Sequence, residues 1–305
     1  MPTTALSADY LVVGAGAMGL AFVDEVAMRD PTATFIIVDK RAKPGGHWND
    51  AYPFVSLHQP AAFYGVNSLN LGSGGASLAS GVEVLAYFDR VMNKLRNSGR
   101  VQYFSMCAYD GDDRFRSLID PDRHYEVTVA RKTVDATYMN VRVPSTTPPK
   151  YDVSPEATLV PLNDLVRVRE PRDGYVIIGA GKTGIDAVLF LLRQGVDRKR
   201  ITWIVSNDSW LMERAGLQPG ITFRWFLQQR RIGAGAGSMN DVSRALVKQG
   251  VFLRIDESVN PVKFRCATVN REELALLRQI DNVVRKGRVR RVESGVVRLD
   301  GGSLE

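Results

Sequence analysis

A glycine spacing that fits a tight strand–turn–helix occurs twice in this chain, as Gly14-Ala-Gly16-Ala-Met-Gly19 and as Gly179-Ala-Gly181-Lys-Thr-Gly184. Apolar runs at 10–13 and 175–178 lead into the two patterns, and helix-like sequence follows each of them. Residues 34–38 and 201–205 then supply a second strand in each case. In such a turn the first glycine permits the sharp reversal and the second lets backbone approach a pyrophosphate. The third lets the helix pack on the strand, whose end faces the free N–H groups and positive dipole of the helix. One glycine triplet alone is a weak signal. Repetition of the whole strand–turn–helix–strand grammar predicts an α/β fold with two dinucleotide-binding units.

The end of each second strand bears on which nucleotide is held. Asp39 closes the first, where a carboxylate accepts hydrogen bonds from both ribose hydroxyls and repels a 2′-phosphate. The matching place in the second unit is Ser206-Asn207, with Arg214 downstream and Arg198-Lys-Arg200 just before the strand. A neutral strand end with nearby cations favours NADPH over NADH; the other reading of those cations is a solvated loop. Gly181-Lys182-Thr183 resembles the end of a phosphate-binding P-loop, but that pattern needs glycine at 176, where Val176 stands inside the strand. A nucleoside-triphosphatase is therefore not expected.

Composition narrows the class without naming a function. The 305 residues, 45% hydrophobic and 24% charged, suit a globular protein with two cores. No basic leader opens the chain, and its first apolar stretch is broken by glycines and closed by Asp24-Glu25. Neither a signal peptide nor a membrane span is expected, and the cytoplasm is the expected location. Cys107 and Cys266 form no CxxC pair, which argues against a redox dithiol and a zinc cluster; no metal site is expected. The formal charge of +7 is scattered apart from residues 285–291, so positive potential for two polyanionic dinucleotides explains it and nucleic acid is not an expected partner.

Along the chain, residues 1–150 are expected to form the first Rossmann-like domain and 151–286 the second, with helical additions. Residues 287–305 are expected to return to the first domain as a hairpin. Helical spacing at 83–97 predicts a cover helix, and alternation at 124–138 predicts two strands of a meander. The segment Pro144-Ser-Thr-Thr-Pro148-Pro149 is the expected domain boundary. Candidate helices follow at 223–231, 240–249 and 271–286, with a glycine-rich loop at 233–237.

Together these segments resemble the two-dinucleotide-binding-domain flavoproteins, in particular flavin-containing and Baeyer–Villiger monooxygenases. The resemblance implies FAD at Gly14, Gly16, Gly19 and Asp39, with the GGxW segment Gly45-Gly46-His47-Trp48 near the flavin. It also implies NADP(H) at Gly179, Gly181, Thr183 and Gly184, with Ser206 and Arg214 toward the 2′-phosphate. The FxGxxxHxxx(W/Y/F) fingerprint of the family is absent between the glycine motifs. Where Baeyer–Villiger enzymes carry YPGxRxD, this chain reads Tyr52-Pro-Phe-Val-Ser-Leu-His58. His58 is then a candidate proton shuttle or flavin hydrogen-bond partner, or a loop histidine with a structural partner. Asn67 is the candidate for the asparagine that flavin-containing monooxygenases place over the ring. Family members continue beyond the final hairpin, so the expectation is an FAD domain incomplete at its C-terminus with weakened flavin binding.

Two functions from different classes follow. One is an FAD- and NADPH-dependent oxidoreductase, monooxygenase-like, in which hydride passes from NADPH to flavin and a small-molecule substrate is oxygenated. The other is a non-catalytic NADP(H)- and FAD-binding protein or fragment. A reductase acting on a protein or a quinone also remains open, without a dithiol.

Overall fold

The computed structural model describes residues 3–75, 77–139, 145–170 and 172–305. They form a mixed α/β structure of two compact units, Met1–Ala51 with Ala61–Val143 and Tyr52–Pro60 with Pro144–Glu305. Pro144, part of the expected boundary, lies outside the described residues.

The first unit is built on a six-stranded sheet of order β5-β2-β1-β8-β7-β6. Strand β1 (Thr3–Val13) runs into helix α1 (Ala17–Arg29) and returns as β2 (Phe35–Val38), parallel to β1. All four residues of β2 are buried, as befits a parallel strand covered on both faces. A short hairpin of β3 (Gly65–Val66) and β4 (Leu69–Asn70) precedes α2 (Gly81–Asn97). Ser80 and Glu83 close a reciprocal capping box at the start of α2, and Val84, Phe88, Val91, Met92 and Leu95 are its buried side, matching the helical spacing of the sequence. Strand β5 (Val101–Phe104) then joins the parallel edge beside β2.

Beyond β5 the sheet turns antiparallel. Strands β6 (Cys107–Gly111) and β7 (Arg114–Ser117) form a hairpin whose two turn residues, Asp112 and Asp113, both have left-handed backbone at φ 48° and 56°. That is the turn whose twist suits a two-residue hairpin. Strand β8 (His124–Asp135) pairs antiparallel with β7 and parallel with β1. This corrects the expected division of 124–138 into two strands: no glycine or proline interrupts the run, so the alternation continues as one strand of 12 residues.

In the second unit, β9 (Asp152–Val153) and α3 (Leu162–Leu165) come before the second glycine pattern. Strand β10 (Tyr175–Ile178), helix α4 (Lys182–Arg193) and strand β11 (Ile201–Ile204) repeat the strand–helix–strand geometry of the first unit. There follow β12 (Ser209–Glu213), α5 (Thr222–Ala234), α6 (Met239–Lys248), β13 (Phe252–Leu253), β14 (Lys263–Val269), α7 (Arg271–Leu277) and β15 (Asn282–Val284). Strands β10, β11 and β15 make one parallel sheet; β13, β12 and β14 make another of mixed direction. The expected helix at 271–286 therefore stops at Leu277, because Asn282-Val-Val284 pairs with β11 instead, while the expected glycine-rich loop loses Gly233 to α5. Trp203, Ile201, Val188 and Leu277 are completely buried at the centre of this unit's core.

The chain ends in β16 (Val289–Glu293), β17 (Val296–Leu299) and β18 (Gly302–Leu304), in a sheet completed by β9. The hairpin belongs to the second unit, contrary to the expected return to the first. Val289, Val292, Val297 and Leu299 pack on Ile204 of β11 and Val284 of β15, an apolar face that alternating residues of two short strands could not otherwise bury.

Third glycines in the two patterns fix the helix–strand seat. A Cβ on Gly19 or on Gly184 would stand 2.0 Å from the carbonyl oxygen of Gly14 or Gly179. By contrast, a Cβ on Gly181 meets nothing within 4 Å, and its backbone is extended at φ −81°. Gly184→Ala should therefore cost about 2 kcal/mol of stability, whereas Gly181→Ala should melt like the parent, as thermal unfolding of the two variants would show.

Candidate functional site

In the first unit the glycine turn is braced from two sides. Gly14 has φ +105°, a conformation disfavoured for residues with a side chain, and its N–H donates to the carbonyl of Val38 at 2.8 Å. Asp39, only 5% exposed, accepts the Ala15 N–H at 2.6 Å through one carboxylate oxygen and the Arg41 N–H at 2.7 Å through the other. The strand-end acid thus shapes the turn itself. Each oxygen keeps a lone pair for a further donor such as a ribose hydroxyl.

The GGxW segment forms the other brace. Gly45 donates its N–H to the Ala15 carbonyl at 2.8 Å, and a Cβ on Gly46 would lie 3.1 Å from the Cα of Gly16. Two backbones meet here with no side chain between them. The turn opens into a cleft of about 980 Å³, lined among others by Gly14, Gly16, Asp39, Gly46, His47 and Tyr109. That is large enough to take in part of a dinucleotide. Arg41 and Asp50 pair across the segment, with Nε to Oδ2 at 3.2 Å, and burial together with Arg41 lowers the pKa of His47. Trp48 is not among the cleft-lining residues; its ring stacks on His47 at 5.7 Å between centroids. The segment reaches the cleft through Gly46 and His47.

Asn67 does not sit at this cleft. Its side-chain amide donates to Glu25 at 2.7 Å, on the second half of α1, and the neighbouring Ser68 N–H donates to Asp24 at 3.0 Å. The glycine turn adjoins the other end of that helix, and Asn67 here anchors the β3–β4 hairpin to α1.

The second turn has the same backbone and different surroundings. Gly179 again has φ +105°, with its N–H donating to Ile204 at 3.0 Å. Trp203, the counterpart of Ile37 in the strand register, donates its indole N–H to the Gly179 carbonyl at 2.9 Å. Gly181 is the N-cap of α4, and Lys182 and Thr183 begin the helix, half-buried. Lys182 and Tyr52 both donate to the carboxylate of Asp186, one turn further in.

Residues 52–60 belong to this second unit. Phe54 stacks on Phe190 of α4 with ring centroids 4.1 Å apart. The carbonyl of His58 accepts from Arg214 at 3.1 Å and from the Thr268 hydroxyl. The His58 imidazole faces Lys182, Arg214 and Asp186; burial first, then the two cations, lowers its pKa, so the ring is neutral at neutral pH. Within its own unit His58 therefore stands in the neighbourhood of the second glycine turn.

Arg214 is also corrected. Its side chain is 8% exposed and its guanidinium pairs with Glu273 at 2.7 Å while reaching the carbonyls of His58 and Thr268. A fork already bonded on several sides and removed from water ties the turn just after β12 to residues 52–60, β14 and α7 rather than standing free for a phosphate. Arg198-Lys-Arg200 precede β11 and so mark the end of the strand opposite the one where a nucleotide binds. Ser206 lies half-buried just past β11, followed by Asp208, which is paired with Arg285 at 2.9 Å. The sequence reading missed Asp208, Asp186 and Tyr52. Only Asp186 left a signal, as the partner of Lys182 at i,i+4.

No family model matches the chain. Uncharacterized proteins of Mycobacterium tuberculosis and Mycobacterium bovis are 47% identical over 320 aligned residues, covering 99% of this chain and 59% of theirs. The chain therefore spans about three fifths of the length of the curated relatives it matches. A flavin-containing monooxygenase from Stenotrophomonas maltophilia superposes with a TM-score of 0.56 at 18% identity, over 98% of this chain and 76% of that one. Oxidized steroid monooxygenase bound to NADP gives 0.55 at 15%, over 98% and 69%. The chain shares the fold of these flavoprotein monooxygenase structures.

Arg214→Ala should cost about 3 kcal/mol by stranding Glu273, and should leave any preference between NADPH and NADH unchanged; thermal melts and titration of both nucleotides check the two halves.

Proposed function

We propose that the chain carries the nucleotide-binding units of an FAD- and NADP(H)-dependent oxidoreductase of the monooxygenase-like kind, acting on a small molecule. The observation that carries this reading is the first glycine turn: two glycine backbones, Gly16 and Gly46, lie together in the wall of a cleft of about 980 Å³, beside a buried carboxylate. FAD fits that cradle, since the close approach of Gly16 and Gly46 leaves backbone rather than side chain beside the N-terminus of α1. The shared fold supports the assignment of flavin to this turn and of a nicotinamide dinucleotide to the second.

Each part of the site has a physical task. Gly14, Gly16 and Gly19 let the α1 N-terminus face the pyrophosphate with unpaired N–H groups. Asp39 orients the ribose through the lone pairs that Ala15 and Arg41 leave unused. In the second unit Gly179, Gly181, Thr183 and Gly184 do the same for NADP(H), and Ser206 presents no charge to a 2′-phosphate. Bound FAD would supply the two-electron acceptor for hydride and, once reduced, reactivity toward dioxygen. The protein's share is orientation and exclusion of water; no side chain is assigned as acid, base or nucleophile.

The purified protein should show a flavin absorption spectrum, with FAD released on denaturation, and NADPH should bleach it faster than NADH. Gly16→Val should lose most of the flavin and, because its side chain meets the Gly46 backbone, should also melt lower than the parent; full flavin content in the folded variant would remove the first turn from the reading. Nicotinamide nucleotide binding without any flavin would favour the non-catalytic alternative.

A further inference from the structure

Lys182 is the first residue of α4 and Asp186 follows one turn later. Helix stability does not explain this order. A cation in the first turn opposes the helix dipole, and lysine ahead of its acidic partner is the weaker orientation of an i,i+4 pair. A carboxylate would serve the isolated helix better at 182. An anion held at the glycine turn, however, would favour a cation there.

The ammonium is turned away from the glycine turn. It donates to both oxygens of Asp186, whose side chain is 11% exposed, while the lysine side chain is 26% exposed. The same carboxylate accepts the Tyr52 hydroxyl, and Phe54 seats residues 52–60 on Phe190 of the same helix. The neighbouring charges are otherwise settled: Arg214 is matched by Glu273, and the His58 imidazole is neutral. Asp186 is the counter-charge of Lys182. Ahead of them, space is open on the Cβ side of Gly181.

We propose that Asp186 and Tyr52 park Lys182 as a movable phosphate ligand, and that a dinucleotide pyrophosphate at the second turn draws the ammonium off Asp186. The proposal rests on reading that turn as a nicotinamide nucleotide site. The lysine stem carries four rotatable carbons, enough to swing between a carboxylate behind it and a phosphate ahead. Neither position leaves the ammonium without an anion, and on release Asp186 keeps the Tyr52 hydroxyl as a donor. Asp186 is then a positioning residue that sets how much nucleotide binding must spend to recruit the lysine, and Tyr52 tunes it by sharing the same carboxylate.

The test is calorimetric titration of NADP+ into the parent and four variants at one ionic strength, with a thermal melt of each. Lys182→Met should weaken binding about tenfold, the loss of one charge-assisted hydrogen bond. Asp186→Asn should tighten it roughly threefold to tenfold, because a competing carboxylate is gone while the amide still accepts from Tyr52. Tyr52→Phe should weaken it, since the carboxylate then holds the ammonium harder. Adding Asp186→Asn to Lys182→Met should change nothing. A purely structural ion pair predicts the opposite sign for Asp186→Asn, and weaker binding in that variant overturns the proposal, as does parent-like binding in Lys182→Met. If Asp186→Asn does not fold, Tyr52→Phe decides, with unchanged affinity overturning the idea. A folded parent that binds neither NADP+ nor NAD+ overturns the nucleotide reading and the parked lysine together, whereas binding that ignores Lys182 overturns the second alone.

Discussion

The carbonyl oxygen of Gly14 occupies the place that a side chain at position 19 would need, and the carbonyl of Gly179 does the same to position 184. That contact sets the distance and angle between the first strand and its helix in both units. With the helix seated so closely, its N-terminus points past the carboxyl end of the strand, and the N–H groups of its first turn are left for an anion. The buried second strands depend on the same seat: Phe35, Ile36, Ile37 and Val38 in one unit, and Ile201, Trp203 and Ile204 in the other, are buried in the layer that it helps to close.

Identical turns have been given different surroundings. In the first unit a buried carboxylate and a second pair of glycines hold the turn, so its shape is fixed by backbone partners on both sides. In the second unit an indole N–H caps the Gly179 carbonyl, open space lies beside Gly181, and an ion pair stands at the head of the helix. The first arrangement is held in shape by backbone and a carboxylate. The second keeps a charge in reserve.

Several residues chosen from the sequence proved to be structural. Arg214 was selected because a cation beyond a neutral strand end suits a 2′-phosphate, yet it joins the turn just after β12 to α7 through Glu273. Asn67 anchors a hairpin to α1. Neither outcome was legible, because the type of a polar residue says what it can bond and not which partner the fold brings within reach. The glycines and Asp39, by contrast, stand in and beside the first turn as their spacing predicts, since backbone geometry restricts what can stand at those positions. The extra duty of Asp39 as acceptor for the Ala15 and Arg41 N–H groups was invisible until strand and turn were seen together.

The two strand–turn–helix units and the cover helix α2 are encoded locally, because apolar periodicity and glycine spacing each act within a few residues of chain. Tertiary structure alone decided the rest. It kept residues 124–135 as one strand, ended α7 early so that Asn282–Val284 could pair with β11, and placed residues 52–60 and the final hairpin in the second unit. These outcomes turn on which apolar face finds a partner and which charge finds its opposite across large separations in sequence. Tyr52 and Asp186 lie 134 residues apart and yet share a hydrogen bond. No local pattern encodes such a contact, because the free energy that selects it arises only after the elements have packed.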